Sequence, residues 1–100
     1  MPTYIGLLRY TPEGIKGLKQ RWAQGNPQEQ ARQRAEALGC QIKAQYLTMG
    51  RYDVVTIVEA PNDEAITKLA LATGMQGNFH TETLRAYDAA ETASLIQSLP

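Results

Sequence analysis

Five consecutive residues, Val54-Val55-Thr56-Ile57-Val58, all branch at Cβ. Such side chains are stiff at χ1 and fit the pleated surface of a sheet better than a helix. The run therefore predicts a central strand over Tyr52 to Ala60, and the rest of the chain has to supply neighbours for it. The upstream neighbour is Gln41 to Met49. There Ile42, Ala44, Tyr46 and Thr48 alternate with Lys43, Gln45, Leu47 and Met49 at the period of two that marks a strand. Gly50-Arg51 gives a turn short enough to make the two a hairpin.

Tyr4 to Tyr10 reads as a further strand that stops at Thr11-Pro12, because proline suits the first turn of a helix. Ile15, Leu18 and Trp22 then recur at helical spacing as far as Gly25. Asn26-Pro27-Gln28-Glu29 predicts a second start, with Asn26 as cap and Glu29 reaching back to it. Ala31, Ala35 and Leu38 form its buried stripe and Gly39 its end. Asn62-Asp63-Glu64 opens another helix, packed through Ile66, Leu69 and Ala70 and closed by Gly74. Gly77 to Ala86 alternates as a polar edge strand. Asp88 with Glu91 caps a short terminal helix bearing Leu95, Ile96 and Leu99.

The predicted order is strand, helix, strand, strand, helix, strand, helix. It fits an α+β domain of the split βαβ, ferredoxin-like kind, with an antiparallel sheet carrying helices on one face. A chain of 100 residues, 43% of them apolar, can bury one core, and it reads as one domain over residues 1–100. The sheet's second face is left uncovered, and a second copy of the chain is the expected cover.

Ten basic residues balance ten acidic ones. Arg32 and Arg34 lie among Glu29 and Glu36, the pattern of a solvated helix face, so nucleic acid is not an expected partner. No stretch approaches the roughly 20 apolar residues of a membrane span. A lone cysteine, Cys40, and the absence of a basic, then apolar, leader at Met1-Pro2-Thr3-Tyr4-Ile5 point to the cytoplasm. The single histidine rules out a multi-histidine metal site. Glycines are not grouped as a nucleotide fingerprint, so no cofactor is expected.

Thr48-Met49-Gly50-Arg51-Tyr52-Asp53-Val54-Val55, followed by Glu59-Ala60-Pro61, resembles the motif for which the GYD-domain family is named. Tyr4-Ile5-Gly6-Leu7, Leu38-Gly39 and Gly77-Asn78 before Thr81-Glu82-Thr83-Leu84-Arg85-Ala86 are similar to it as well, so the likeness covers nearly the whole chain. It implies small bacterial proteins of the dimeric αβ-barrel type, and a basic residue, usually arginine, where this chain has His80. Other dimeric αβ-barrels include cofactor-free oxygenases, isomerases and small-molecule sensors, so the fold alone does not choose an activity.

Four residues stand out as candidates. Asp53 or His80 would serve as a base, with Glu82 or Asp53 orienting the imidazole. Tyr52 and Arg85 would bind a polar ligand or steady a developing negative charge. The plainer reading has Asp53 accepting backbone hydrogen bonds in the hairpin and Arg85 ion-paired with Glu59 or Asp53. The functional expectation is a homodimer binding a small molecule without metal or nucleotide. A cofactor-independent isomerase or oxygenase, or an interaction module, are the alternatives. A closed pocket containing at least one of Tyr52, Asp53, His80 and Arg85 would favour the first two.

Overall fold

Strand β1 (Thr3–Tyr10) lies between β3 (Val54–Glu59) and β4 (Phe79–Ala86), antiparallel to both. Strand β2 (Gln41–Leu47) pairs with the far side of β3, giving the order β2-β3-β1-β4. Strands β1 and β2 thus run the same way with β3 between them, which is the split βαβ crossover of a ferredoxin-like sheet. The β-branched run occupies a central strand and β4 an edge, as the residues predict. These features come from a computed structural model that describes residues 1–100.

Helix α1 (Pro12–Lys16) follows β1, and helices α2 (Leu18–Ala23), α3 (Pro27–Ala37) and α4 (Asp63–Met75) contribute to one face of the sheet. Helix α5 (Ala89–Gln97) follows β4. Side-chain caps start four of the helices, and those at Asn26 and Asp88 are the predicted ones. Thr11 Oγ1 accepts from Gly14 N, Asn26 from Gln28 N and Glu29 N, and Asn62 from Ala65 N. Asp88 and Glu91 form a reciprocal capping box. No helix is long and apolar enough to cross a membrane.

Several local expectations are corrected. The first helical segment breaks at Gly17 into α1 and α2, leaving Ile15 and Trp22 largely exposed. Glu29 turns to Arg32 at 3.7 Å instead of reaching back to the cap. Helix α4 runs past Gly74 to Met75, and Gly77, at φ 80°, takes the left-handed turn that follows it. The tight Gly50-Arg51 hairpin is a longer loop instead. It is held by Thr48 N to Asp53 O at 2.8 Å, Thr48 Oγ1 to Tyr52 O at 2.6 Å and Asp53 N to Leu8 O at 2.8 Å. These bonds engage Asp53 outside the β2–β3 ladder, so the strand begins at Val54.

The alternation in β2 also fails midway. Ile42 pairs with Val58 but Ala44 with Ile57, so Lys43 is an extra residue in a bulge. One inserted residue reverses which side chains point inward. Ile42 faces the helices before the bulge, and Gln45 and Leu47 do so after it, while Tyr46 is turned out.

The core sits at one end of the sheet. Tyr4, Ile42 and Val58 meet Ala35 and Cys40 from the α3 end and Ala65, Ile66 and Leu69 from α4. Tyr4 is 4% exposed, and its hydroxyl donates to Asp63 Oδ1 at 2.5 Å, joining the middle strand to the first turn of α4. That bond, then burial, raises the Tyr4 phenol above its ordinary value. Replacement Tyr4→Phe should cost about 1.5–3 kcal/mol in chemical denaturation, the range for a hydrogen bond to a charged group. Because the folded value is raised, this contribution is complete below the unfolded phenol's value of about 10 and is lost as pH rises through the folded value. The stability difference between Tyr4→Phe and the unaltered protein should shrink only at strongly alkaline pH.

The opposite end is closed by a near backbone contact. Thr11 N donates to Asn78 O at 3.0 Å, and a Cβ on buried Gly14 would overlap that same carbonyl. Backbone cannot move aside as a flexible side chain can. Gly14→Ala should therefore lower stability by about 1–3 kcal/mol in urea unfolding, and Asn78→Ala should not relieve it.

Candidate functional site

The strand register places four inward residues in rows across the sheet. The first row, Ile42–Val58–Tyr4–Arg85, belongs to the core end, and the third, Leu47–Val54–Leu8–Thr81, is mostly apolar. Between them runs Gln45–Thr56–Gly6–Thr83, without one apolar side chain. Sheet faces under helices are normally apolar along their whole length. This polar row is the floor of a cavity of about 250 Å³ between the sheet and helices α2, α3 and α4. Leu18 and Trp22 of α2, Ala31 and Arg34 of α3, and Ile66, Leu69 and Thr73 of α4 supply walls.

Gly6 makes room on that floor, since a Cβ there would overlap Thr56 Oγ1. The hydroxyls of Thr11, Thr48, Thr67 and Thr73 each bond a main-chain carbonyl. Those of Thr56, half-buried, and of Thr81 and Thr83, exposed on the edge strand, make no such bond and are open to solvent or a ligand. Gln45 is held by its Nε2 donating to Gln28 O at 3.1 Å.

Two arginines border the cavity and no acidic residue does. Arg21 folds back over Gly17, with Nη2 on Gly14 O at 2.6 Å and Nη1 on Asn78 Oδ1 at 3.4 Å. Arg34 has no carboxylate within ion-pair reach. With its amide turned to satisfy both groups, Gln76 accepts from Arg34 Nε and Nη1 at 3.2 Å. Burial lowers the Arg34 guanidinium from its ordinary value. Near the mouth Tyr10 stacks on Phe79 at 4.6 Å between centroids.

The four residues singled out from the sequence are not gathered in this cavity. Asp53 Oδ2 accepts from Tyr10 N at 2.9 Å, the backbone-holding geometry of the plainer reading. Tyr52 lies over the uncovered face, its hydroxyl donating to Glu82 Oε2 at 2.6 Å, a bond that raises its phenol. His80, in register with Arg9, borders a shallower groove with Leu71 and Met75 of α4. The cavity-lining polar row escaped sequence reasoning because threonine and glutamine in a strand look like outward residues. Only the strand register and the Lys43 bulge turn them inward.

Arg85 corrects an expected pairing. Its Nη2 meets Glu91 Oε2 at 2.9 Å, whereas Glu59 pairs with Lys43 at 3.6 Å. Arg85 also covers the Tyr87 ring at 4.3 Å and donates to the carbonyls of Thr3 and Ala86. It is a clamp between β4 and α5. Cys40 is buried, and burial raises its thiol, so it makes a weak nucleophile.

The clamp sets the pH response of α5. Arg85, then the Asp88 backbone, holds the Glu91 carboxyl below its ordinary value. A depressed value means a contribution present above the unfolded carboxyl's value of about 4.3 and lost as pH falls through the folded one. Glu91→Gln should speed amide hydrogen exchange in α5 at neutral pH while leaving β1 and β3 protected, and acid should do the same to the unaltered chain.

Residues 4–96 match the family model described as the GYD domain. The chain is 32% identical over 100 residues to the glutamine synthetase and cystathionine beta-lyase binding protein of Thermus thermophilus. The alignment covers 97% of this chain and all of that relative.

Proposed function

The chain belongs to the GYD domain family, and from that premise we propose that it is a cytoplasmic homodimer that docks on metabolic enzymes of the kind its relative binds. The observation that carries the reading is an excess of exposed surface together with large apolar side chains left uncovered. A monomer of 11.1 kDa should expose about 5,650 Å² by the size scaling of folded monomers, but this chain exposes 6785 Å². Its radius of gyration is 15.0 Å, against about 13 Å for a compact chain of this length.

Two apolar surfaces contribute to the excess. On the outer face of the sheet, Ala44–Ile57–Ile5–Leu84 form one row in register and Tyr46–Val55–Leu7–Glu82 the next. Helix α5 has no buried residue, and Leu95, Ile96 and Leu99 are 49–68% exposed. Pairing two such sheets face to face, as an αβ barrel, would cover the first, and α5 reaching across would cover the second. Tyr52, Glu82 and His80 would then lie inside the dimer. Roles for Tyr52 and His80 in ligand binding, and for Asp53 or His80 as a base, depend on that enclosure.

The outward surface of the dimer would carry the enzyme contact, as the relative's name suggests by analogy. A second reading, binding of a small molecule within each subunit, is favoured by the cavity over the polar row.

Sedimentation equilibrium of the unaltered protein should give twice the chain mass. Ile57→Lys should give a monomer with unchanged far-ultraviolet circular dichroism. Surface plasmon resonance against glutamine synthetase and cystathionine beta-lyase of the same host should show saturable binding by the dimer. A monomeric unaltered protein, or a dimer that binds neither enzyme, would overturn the corresponding half of the reading.

A further inference from the structure

We propose that the cavity between sheet and helices is a binding site for a small organic carboxylate with an apolar body. The inference rests on the small-molecule reading of that cavity and goes beyond it by assigning the ligand's chemistry.

Three observations converge on this class. The cavity, at about 250 Å³, is a little smaller than the roughly 300 Å³ at which drug-sized sites begin, so it suits a metabolite and not a cofactor. Its charge is one-sided, with Arg21 and Arg34 on the rim or wall and neither aspartate nor glutamate anywhere in the lining. Arg21 is engaged by the Gly14 carbonyl and Asn78, but Arg34 has only the neutral Gln76 amide as partner. A partly buried guanidinium with no acidic partner favours an anion, and its planar fork fits a carboxylate. A zwitterion or an amine would bring an ammonium into a lining that has no acid to receive it.

The polar row supplies the second recognition element. Half-buried Thr56 and Thr83 at the exposed edge stand either side of Gly6, in register, with hydroxyls that make no bond within the chain, and Gly6 keeps the floor open between them. Apolar side chains flank the row, Val58 on the core side and Val54 and Leu8 on the other. A ligand lying along the floor would place its polar atoms over the threonines and its apolar body against Leu8, Leu69 and Trp22, with its charge toward Arg34.

The test uses the full-length protein and three probes of one shape: phenylacetate, phenylethanol and phenethylammonium. Titrations followed by amide chemical shifts and by calorimetry should show phenylacetate binding about tenfold or more tighter than the alcohol, the scale of one charge-assisted hydrogen bond. Shifts should centre on Gly6, Thr56 and Thr83, with the ammonium weakest. Arg34→Gln should erase the preference of acid over alcohol, and the near-isosteric Thr56→Val should weaken phenylacetate while leaving the fold intact. If Arg34→Gln does not fold, the comparison of probes on the unaltered protein still decides. Equal affinity for acid, alcohol and ammonium would overturn the ligand class but leave a small-molecule cavity. No shift in the cavity with any probe would overturn the small-molecule reading and this inference together. Unchanged phenylacetate affinity in both variants would overturn the assigned residues.

Discussion

The hydrogen bond from the Tyr4 hydroxyl to Asp63 crosses from the middle strand to the first turn of α4, and much of the domain is arranged around it. Strand β1 is bonded on both edges, so fixing its position relative to α4 fixes the gap between sheet and helices. At the Tyr4 end the gap is closed by small residues, Ala35, Ala60 and Ala65, and by Ile42, Val58 and Ile66. Toward Tyr10 it is wider, because α1 and α2 are short and their large side chains, Ile15 and Trp22, stay largely exposed. One end is therefore core and the other cavity.

That division explains why a 100-residue chain buries only ten residues. Inward positions that would normally add to the core are given to Gln45, Thr56, Gly6 and Thr83. Replacing apolar by polar side chains there forfeits hydrophobic burial, which a small domain can spare least. The proposed dimer would restore burial on the opposite face, where Ile5, Leu7, Val55 and Ile57 lie in register. In that proposal, pairing outside and a cavity inside would be complementary uses of one sheet.

Membership of the GYD domain family, and a relative named as a binding protein for two enzymes, leave two surfaces of this molecule to account for. The outer sheet face and α5 suit a second copy. The cavity lies on the opposite, helix-covered side of the sheet and opens to solvent past Trp22 and Leu47. A carboxylate held there would lie beneath α3 and α4, so occupancy would bear on a docked enzyme through the helices that form the cavity's walls.

Local chemistry made the elements legible from the residues. The β-branched run of β3, the caps at Asn26 and Asp88, and Gly39 at φ 79° each act within a few residues of themselves. Strand order followed from their sequence, since a helix between parallel strands and a return strand between them leave few arrangements. Register was different. The Lys43 bulge adds one residue and reverses the inward set beyond it, and nothing within β2 marks the position. That Tyr52 faces Glu82 and that Thr56 and Thr83 face inward are consequences of register. The sequence by itself determined the strands, helices and their order, because those depend on near neighbours. Only the tertiary structure decided which side chains share a face and a cavity, because alignment between strands depends on residues far apart in the chain.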